Sequence, residues 1–300
     1  PCLLLHNASD GRELIAKLGR RGKGLPANVI PLETFHIASF GMDVMLGAVA
    51  LGASNLVVLA TGSEAPDYLV AVRTQMGFAE EILQGLGYNG SHFQLIEARD
   101  VATLERAVWG IPPARSVQPA GFNLFNEKRA TLDFSFDHLA KNAPTVKEEI
   151  PLSEGAPYGK LDVNKETCTL CMACVGACPE NALLDSKELP QLMFIERNCV
   201  QCGICEKTCP EQAINLTPRL LLTKEARSPR IINEAEVFAC IRCGKPFATK
   251  QMINNMLGKL GTHSMFSGGT SLARLQMCAD CRVVDMMNNK NEQSIFDVRS

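Results

Sequence analysis

The 300-residue chain has one tryptophan, three tyrosines and a formal charge of only -2, with a pI near 6.3. Such a charge balance supplies no global basic field of the kind that holds nucleic acid, so no nucleic-acid partner is expected. Long apolar runs are also missing. The longest, Val44 to Ala60, is broken by Gly47, Gly52, Ser54 and Asn55, and it falls short of the roughly 20 residues a membrane-spanning helix needs. The start, Pro1-Cys2-Leu3-Leu4-Leu5-His6, has no Met, no basic stretch and no small-residue cleavage site, hence no visible secretion signal. A chain opening in this way reads as an excerpt from a longer polypeptide. Cysteine is nearly absent from the first 167 residues, where Cys2 stands alone.

The other twelve cysteines all lie between Cys168 and Cys281, at short regular spacings. A secreted disulfide scaffold is usually small and cysteine-dense throughout, so this clustering points to metal ligation in a reducing compartment and to a cytoplasmic protein. With 46% apolar and 21% charged residues the chain can build real cores, and its length suits two or three domains. Charge is uneven: residues 219–300 carry 12 basic against 7 acidic groups, whereas 1–159 carry 13 against 17.

From Leu3 to Trp109 short apolar runs alternate with helical periodicity. Strands are expected at Leu3–His6, Asn28–Leu32, Asn55–Ala60 and His92–Glu97. Helices are expected at Asp10–Arg20, Met42–Leu51, Pro66–Leu86 and Val101–Val108. Asn55–Ala60 is apolar on both faces, as a central parallel strand should be. The alternation implies an α/β layer sandwich over 1–110, a Rossmann- or flavodoxin-like parallel sheet covered on both sides. Such sheets bind ligands at the carboxyl ends of their strands, here the loops His6 to Gly11 and Ala60 to Glu64. Neither is a G-x-G-x-x-G or a P-loop. The Thr61-Gly62-Ser63 turn offers its backbone donors either to a small anion or to an ordinary cap within the chain. His36, His92, His138 and His263 form no acid–base pair in the sequence. Residues 111–159 hold prolines 112, 113, 119, 144, 151 and 157 and read as a connector with one helix, Glu127–Lys141, capped by Asn126. Trp109 beside it is expected in the core.

The chemistry lies further on. Cys168, Cys171, Cys174 and Cys178, followed by Pro179, form C-x2-C-x2-C-x3-C-P. Thirty-one residues later Cys199, Cys202, Cys205, Cys209 and Pro210 repeat it, with Glu180/Glu211 and Ala182/Ala213 also matching. In this run three cysteines hold one cubane and the fourth reaches across to the other. Cys168, Cys171, Cys174 and Cys209 are therefore assigned to one [4Fe-4S] cluster, and Cys199, Cys202, Cys205 and Cys178 to a second. Zinc sites favour pairs of C-x2-C and fit these eight residues poorly. The segment Gly159 to Pro218 closely resembles the bacterial dicluster ferredoxins. The resemblance implies an α+β domain over 160–218, with two pairs of strands, a short helix after each fourth cysteine, and one-electron transfer.

Cys240-Ile241-Arg242-Cys243-Gly244 is a C-x2-C-G knuckle, and Cys278-Ala279-Asp280-Cys281 precedes a helix at Arg282–Asn288. Knuckle first and helix-borne pair second resembles a treble-clef zinc finger within the C-terminal region 219–300. Ligand spacing alone leaves zinc, a third iron–sulfur centre or free thiols open for Cys240, Cys243, Cys278 and Cys281. Arg242, Lys245 and Arg282 would offset thiolate charge in either metal case.

The front domain bears a second likeness. Leu25-Pro26-Ala27-Asn28-Val29, Gly41 to Leu51, and Gly52 to Leu59, continuing through Tyr68 and Arg73 to Leu83 and Leu86, resemble the small delta subunit of methyl-viologen-reducing hydrogenases. That resemblance implies partners among electron donors and acceptors such as hydrogenases and heterodisulfide reductase. The family carries cysteines for a [2Fe-2S] centre, some after the strand that ends here at Ala60, where this chain has Thr61, Gly62, Ser63 and Glu64. A docking module without its own cluster is therefore expected, with Cys2 a buried strand residue. The leading functional expectation is electron transfer between a dehydrogenase or hydrogenase and an acceptor protein, as a component of an oxidoreductase system. Two others stand beside it: a flavin- or nucleotide-binding oxidoreductase subunit drained by the clusters, and a metalloenzyme assembly factor.

Overall fold

The computed structural model describes residues 1–112, 114–187, 189–263, 266 and 270–288. Pro113 of the connector and the last twelve residues of the basic C-terminal region lie outside them. The chain divides into two compact units, Pro1–Ala156 with Pro218–Thr223, and Pro157–Thr217 with the described residues from Lys224 onward.

The first unit runs β1 (Cys2–Asn7), α1 (Asp10–Arg21), β2 (Val29–Thr34), α2 (Met42–Ala50), β3 (Asn55–Ala60), α3 (Pro66–Gly85), β4 (Phe93–Glu97), α4 (Val101–Trp109), α5 (Lys128–Lys141) and β5 (Glu149–Pro151). The four strands β1 to β4 pair in parallel in the order β2-β1-β3-β4, the α/β sheet expected. Every residue of β3 is buried, as its unbroken apolar run requires. Leu14 and Leu18 of α1 and Leu104 and Val108 of α4 pack on one sheet face with Cys2, Leu4, Val57 and Leu59. Helices α2 and α3 pack against β3 and β4. Local chemistry sets the ends of these helices. Pro66 opens α3, where its missing N–H costs nothing. The Asp100 carboxylate caps α4 by accepting from the Thr103 N–H at 2.8 Å.

Two local expectations are corrected. Asn126 does not cap α5: the helix begins at Lys128 behind Glu127, and no side chain caps it. Trp109 is 52% exposed and not in the core. It ends α4 on the outer side, where its Nε1 donates to the Gly24 carbonyl at 3.0 Å, so the ring covers a loop and keeps its polar edge satisfied.

The second unit runs β6 (Gly159–Val163), α6 (Ala173–Ala177), β7 (Leu183–Asp185), β8 (Gln191–Phe194), α7 (Ile204–Thr208), β9 (Ile214–Leu221, whose far end belongs to the first unit), β10 (Arg230–Glu234), β11 (Val237–Ala239), β12 (Pro246–Thr249), α8 (Lys250–Leu260), α9 (Thr270–Leu275) and α10 (Ala279–Asn288). β7 pairs antiparallel with β8, and β10 adds a third strand to β8. β6 lies hydrogen-bonded beside β9. These are the two strand pairs of a small ferredoxin-like domain. Its short helices stand elsewhere than expected. Both α6 and α7 end just before the fourth cysteine of their half instead of following it. The helical turn carries the third cysteine inward, and Pro179 and Pro210 then stop it. Among the described residues no helix is long and apolar enough to cross a membrane.

Candidate metal centres

The seven-residue loop C-x2-C-x2-C can aim three thiols at one point only if the chain reverses twice. It does so by left-handed residues on either side of the middle cysteine: Leu170 (φ 55°) and Met172 (φ 60°) in the first half, Gln201 (φ 54°) and Gly203 (φ 75°) in the second. Asn181 (φ 49°) and Gln212 (φ 50°), just past each fourth cysteine, complete a third matched pair. All three pairs are 31 positions apart, so the sequence repeat is also a backbone repeat. The five non-glycine members are the only such residues with positive φ among those described. Each carries a conformational cost of about 1–2 kcal/mol, which the unit has to recover elsewhere.

The loops enclose two cavities. Cys168, Cys171, Cys174 and Cys209 line the first, with Leu170, Met172, Leu192 and Ile214. Cys199, Cys202, Cys205 and Cys178 line the second, with Leu161, Leu183, Phe194 and Leu216. The fourth cysteine of each half thus stands with the other half's three. Backbone N–H groups reach the crossing sulfurs symmetrically: Ala182 N donates to Cys178 Sγ and Ala213 N to Cys209 Sγ, both at 3.3 Å.

These walls are apolar and the thiols crowd one another. Burial, then repulsion from Cys168 and Cys171, pushes the Cys174 thiol up to about 12. Burial and Cys199 push Cys205 up to about 11. Burial also raises Cys199, against which the Gln201 donors work. Four thiolates cannot share such a space unless a cationic group among them offsets their charge. The donor set and its apolar lining therefore fit an iron–sulfur cluster, whose irons take thiolate ligands.

The last four cysteines are arranged differently. β11 and β12 pair antiparallel, and their turn carries Cys240 and Cys243. Cys240 N donates to the Lys245 carbonyl at 2.9 Å, and Gly244 (φ 74°) closes the turn on the Cys240 carbonyl. Cys278 and Cys281 stand at the start of α10. All four Sγ atoms lie within 4.8 Å of one another, with Cys243 and Cys278 at 3.7 Å. A tetrahedral zinc with Zn–S near 2.3 Å puts its sulfurs about 3.8 Å apart. A cubane seats each thiolate on a different iron and spreads them further. Burial opposes ionisation of Cys240, but N–H groups of Cys278, Cys243 and Arg242 outweigh it and lower that thiol. Cys281 is raised by its contacts with the other three sulfurs and by burial. The quartet thus stabilises one thiolate and resists further ones, and a divalent cation removes that resistance. The cations expected to offset the thiolates stand beside the site on other contacts. Arg282 donates to the carbonyls of Arg274 and Met277, Arg242 to that of Cys281, and Lys245 stands 3.8 Å from Asp280.

In the first unit the donors of the Thr61 turn serve the chain itself. Glu64 Oε2 accepts from the N–H groups of Thr61 and Gly62, both at 3.0 Å, and Glu64 Oε1 accepts from Asn7 Nδ2 at 3.1 Å. An internal carboxylate therefore occupies the place between β1 and β3 where an anionic ligand would dock. Cys2 is fully buried, and burial raises its thiol. His92 is buried and bonded to Glu80 at 2.8 Å, in a contact that also satisfies two N–H groups at the start of β4. His138 contacts the Gln118 carbonyl, and His36 meets the edge of Tyr68.

Two side chains at the cavities escaped sequence reasoning. Gln201 Nε2 lies 3.3 Å from Cys199 Sγ and 3.4 Å from the Lys160 carbonyl, an approach that Gly159 permits because a Cβ there would strike the Gln201 amide. Glu211 lines the first cavity and is held by Asn255 and Lys259. The Glu180/Glu211 match signalled the second of these, though not its partners.

Residues 167–214 match the family model described as a 4Fe-4S dicluster domain. The match spans both halves of the cysteine repeat and identifies this segment as an iron–sulfur-binding one. No curated protein matches the chain.

Proposed function

We propose that the protein is an electron-transfer component holding two [4Fe-4S] clusters, one on Cys168, Cys171, Cys174 and Cys209 and the other on Cys199, Cys202, Cys205 and Cys178. The observation that carries this reading is the pair of apolar cavities, each lined by four cysteines drawn from both halves of one repeat. When bound, each cluster supplies a one-electron couple. The chain's own part is to hold the sulfurs, to donate N–H groups to them and to keep bulk water from the cavity walls. The donor belongs to the dehydrogenase or hydrogenase class and the acceptor is a protein. The first unit serves as the docking module, a role supported by its conventional core and by Glu64, which fills its ligand position from within. Cys240, Cys243, Cys278 and Cys281 hold zinc in a closed structural site, a reading supported by their mutual approach. Anaerobic redox titration followed by EPR tests the proposal: the protein should take up about two electrons per chain, reversibly, within the window of roughly -700 to +450 mV open to such clusters. No reducible centre after reconstitution with iron and sulfide would overturn it.

A further inference from the structure

The two halves of the repeat are near-copies, so what differs between them is informative. Cys178 and Cys209 are the crossing ligands, and each is followed by proline and glutamate, Glu180 and Glu211. Each glutamate lines the cavity its cysteine serves. Glu180 is exposed, and no described side chain holds it. Glu211 is held from both sides: Asn255 Nδ2 donates to Oε1 and Lys259 Nζ to Oε2, both at 2.9 Å.

These donors share one face of α8 with Gln251, at intervals of four residues. Gln251 Nε2 donates to the carbonyls of Lys165 and Glu166, at 2.9 and 2.7 Å. Thr249, which caps α8, donates its hydroxyl to the Thr169 carbonyl at 3.2 Å in a buried contact. Thr169 and Glu211 both belong to the first cavity's wall. One helix thus grips that cavity beside its first ligand, at Lys165, Glu166 and Thr169, and beside its crossing ligand, at Glu211. Its start is fixed by β12, which continues directly from the four-cysteine turn.

We propose that α8 is a clamp on the first cavity that restrains Cys209 and makes the Cys168, Cys171, Cys174 and Cys209 site the more persistent of the two iron–sulfur sites. The inference rests on the two-cluster reading. Cluster loss begins when a ligand leaves, and a crossing cysteine on an unrestrained loop leaves more readily than one whose neighbour is tied down. Both loops share the same backbone contact to the crossing sulfur; the loop of Cys209 is held in addition through Glu211, whereas no described side chain holds Glu180 on the loop of Cys178.

The test is iron release from anaerobic, reduced holoprotein into bathophenanthroline disulfonate, with zinc in excess so that the four-cysteine site stays filled. The wild type should release iron in two phases of equal size. In the Asn255→Leu, Lys259→Met double variant the slow phase should quicken about fivefold, the scale of one charge-assisted hydrogen bond and one exposed ion pair, while the fast phase holds. A single phase in the wild type, or a slow phase unmoved in the double variant, overturns the clamp. A chain with iron for one cluster or none fails the two-cluster reading itself, and the clamp with it.

Discussion

The two units solve the problem of stability by different means. Of the twelve largest fully buried side chains among the described residues, eleven lie in the first unit, and Phe194 is the one in the second. The first unit has the ordinary aliphatic core of a parallel sheet, with leucine, isoleucine and valine on both faces. The core of the second is built around Cys168, Cys174, Cys199 and Cys205, and its backbone holds all five left-handed non-glycine residues. Hydrophobic burial can carry the first on its own. The second combines strained loops with crowded thiols, so metal has to supply what burial does not. An α/β domain and a metal-built domain thus depend on different variables within one chain.

The largest effect that would break or confirm this contrast is metal removal. Hydrogen exchange of iron- and zinc-free protein should show loss of protection across Pro157–Thr217 and α8 while β1, β3 and β4 keep theirs. Protection retained in both units would abolish the distinction. The converse change is Leu56→Ala in the buried centre of β3. It should lower the first unit's denaturation free energy by about 2–5 kcal/mol and leave iron content unaltered, as read by chemical denaturation beside metal analysis. A smaller effect is expected of Glu64→Ala, which strips an acceptor from Thr61, Gly62 and Asn7. It should cost about 1–2 kcal/mol and allow phosphate to protect the loop, an outcome that calorimetry with inorganic phosphate would detect. Smallest is Gly203→Ala, at a φ of 75° with open space around the added carbon. Its cost of about 1 kcal/mol, measured on the holoprotein, would be conformational alone, the tax its counterpart Met172 already bears.

Much of this was legible in the sequence because it depends on local pattern. Strands β1 to β4 and helices α1 to α5 fall within two residues of the runs that forecast them, whereas β5 lies in the segment read as a connector. The repeated C-x2-C-x2-C-x3-C-P run, with a fourth cysteine that crosses over, points to the same two sets of four that line the cavities. Interactions between distant segments were not legible. Trp109 looked like core by its type, yet it meets Gly24 at the surface because the loop there needed a donor. Glu64 looked like part of a turn, and only the placement of Asn7 across the sheet makes it a plug. The ferredoxin resemblance implies a short helix after each fourth cysteine, whereas α6 and α7 make their helical turn before it, on the third cysteine. Likewise, the spacing of the last four cysteines leaves three readings open, and does not reveal that their sulfurs come within 4.8 Å of one another.

A crossed pair of clusters and one mononuclear site in the second unit would fix the metal content of the chain. This is tested most directly by counting iron, sulfide and zinc per chain in anaerobically prepared protein. About eight irons, about eight sulfides and one zinc are expected. About four irons would contradict the paired cavities, and about twelve with no zinc would contradict the assignment of Cys240, Cys243, Cys278 and Cys281.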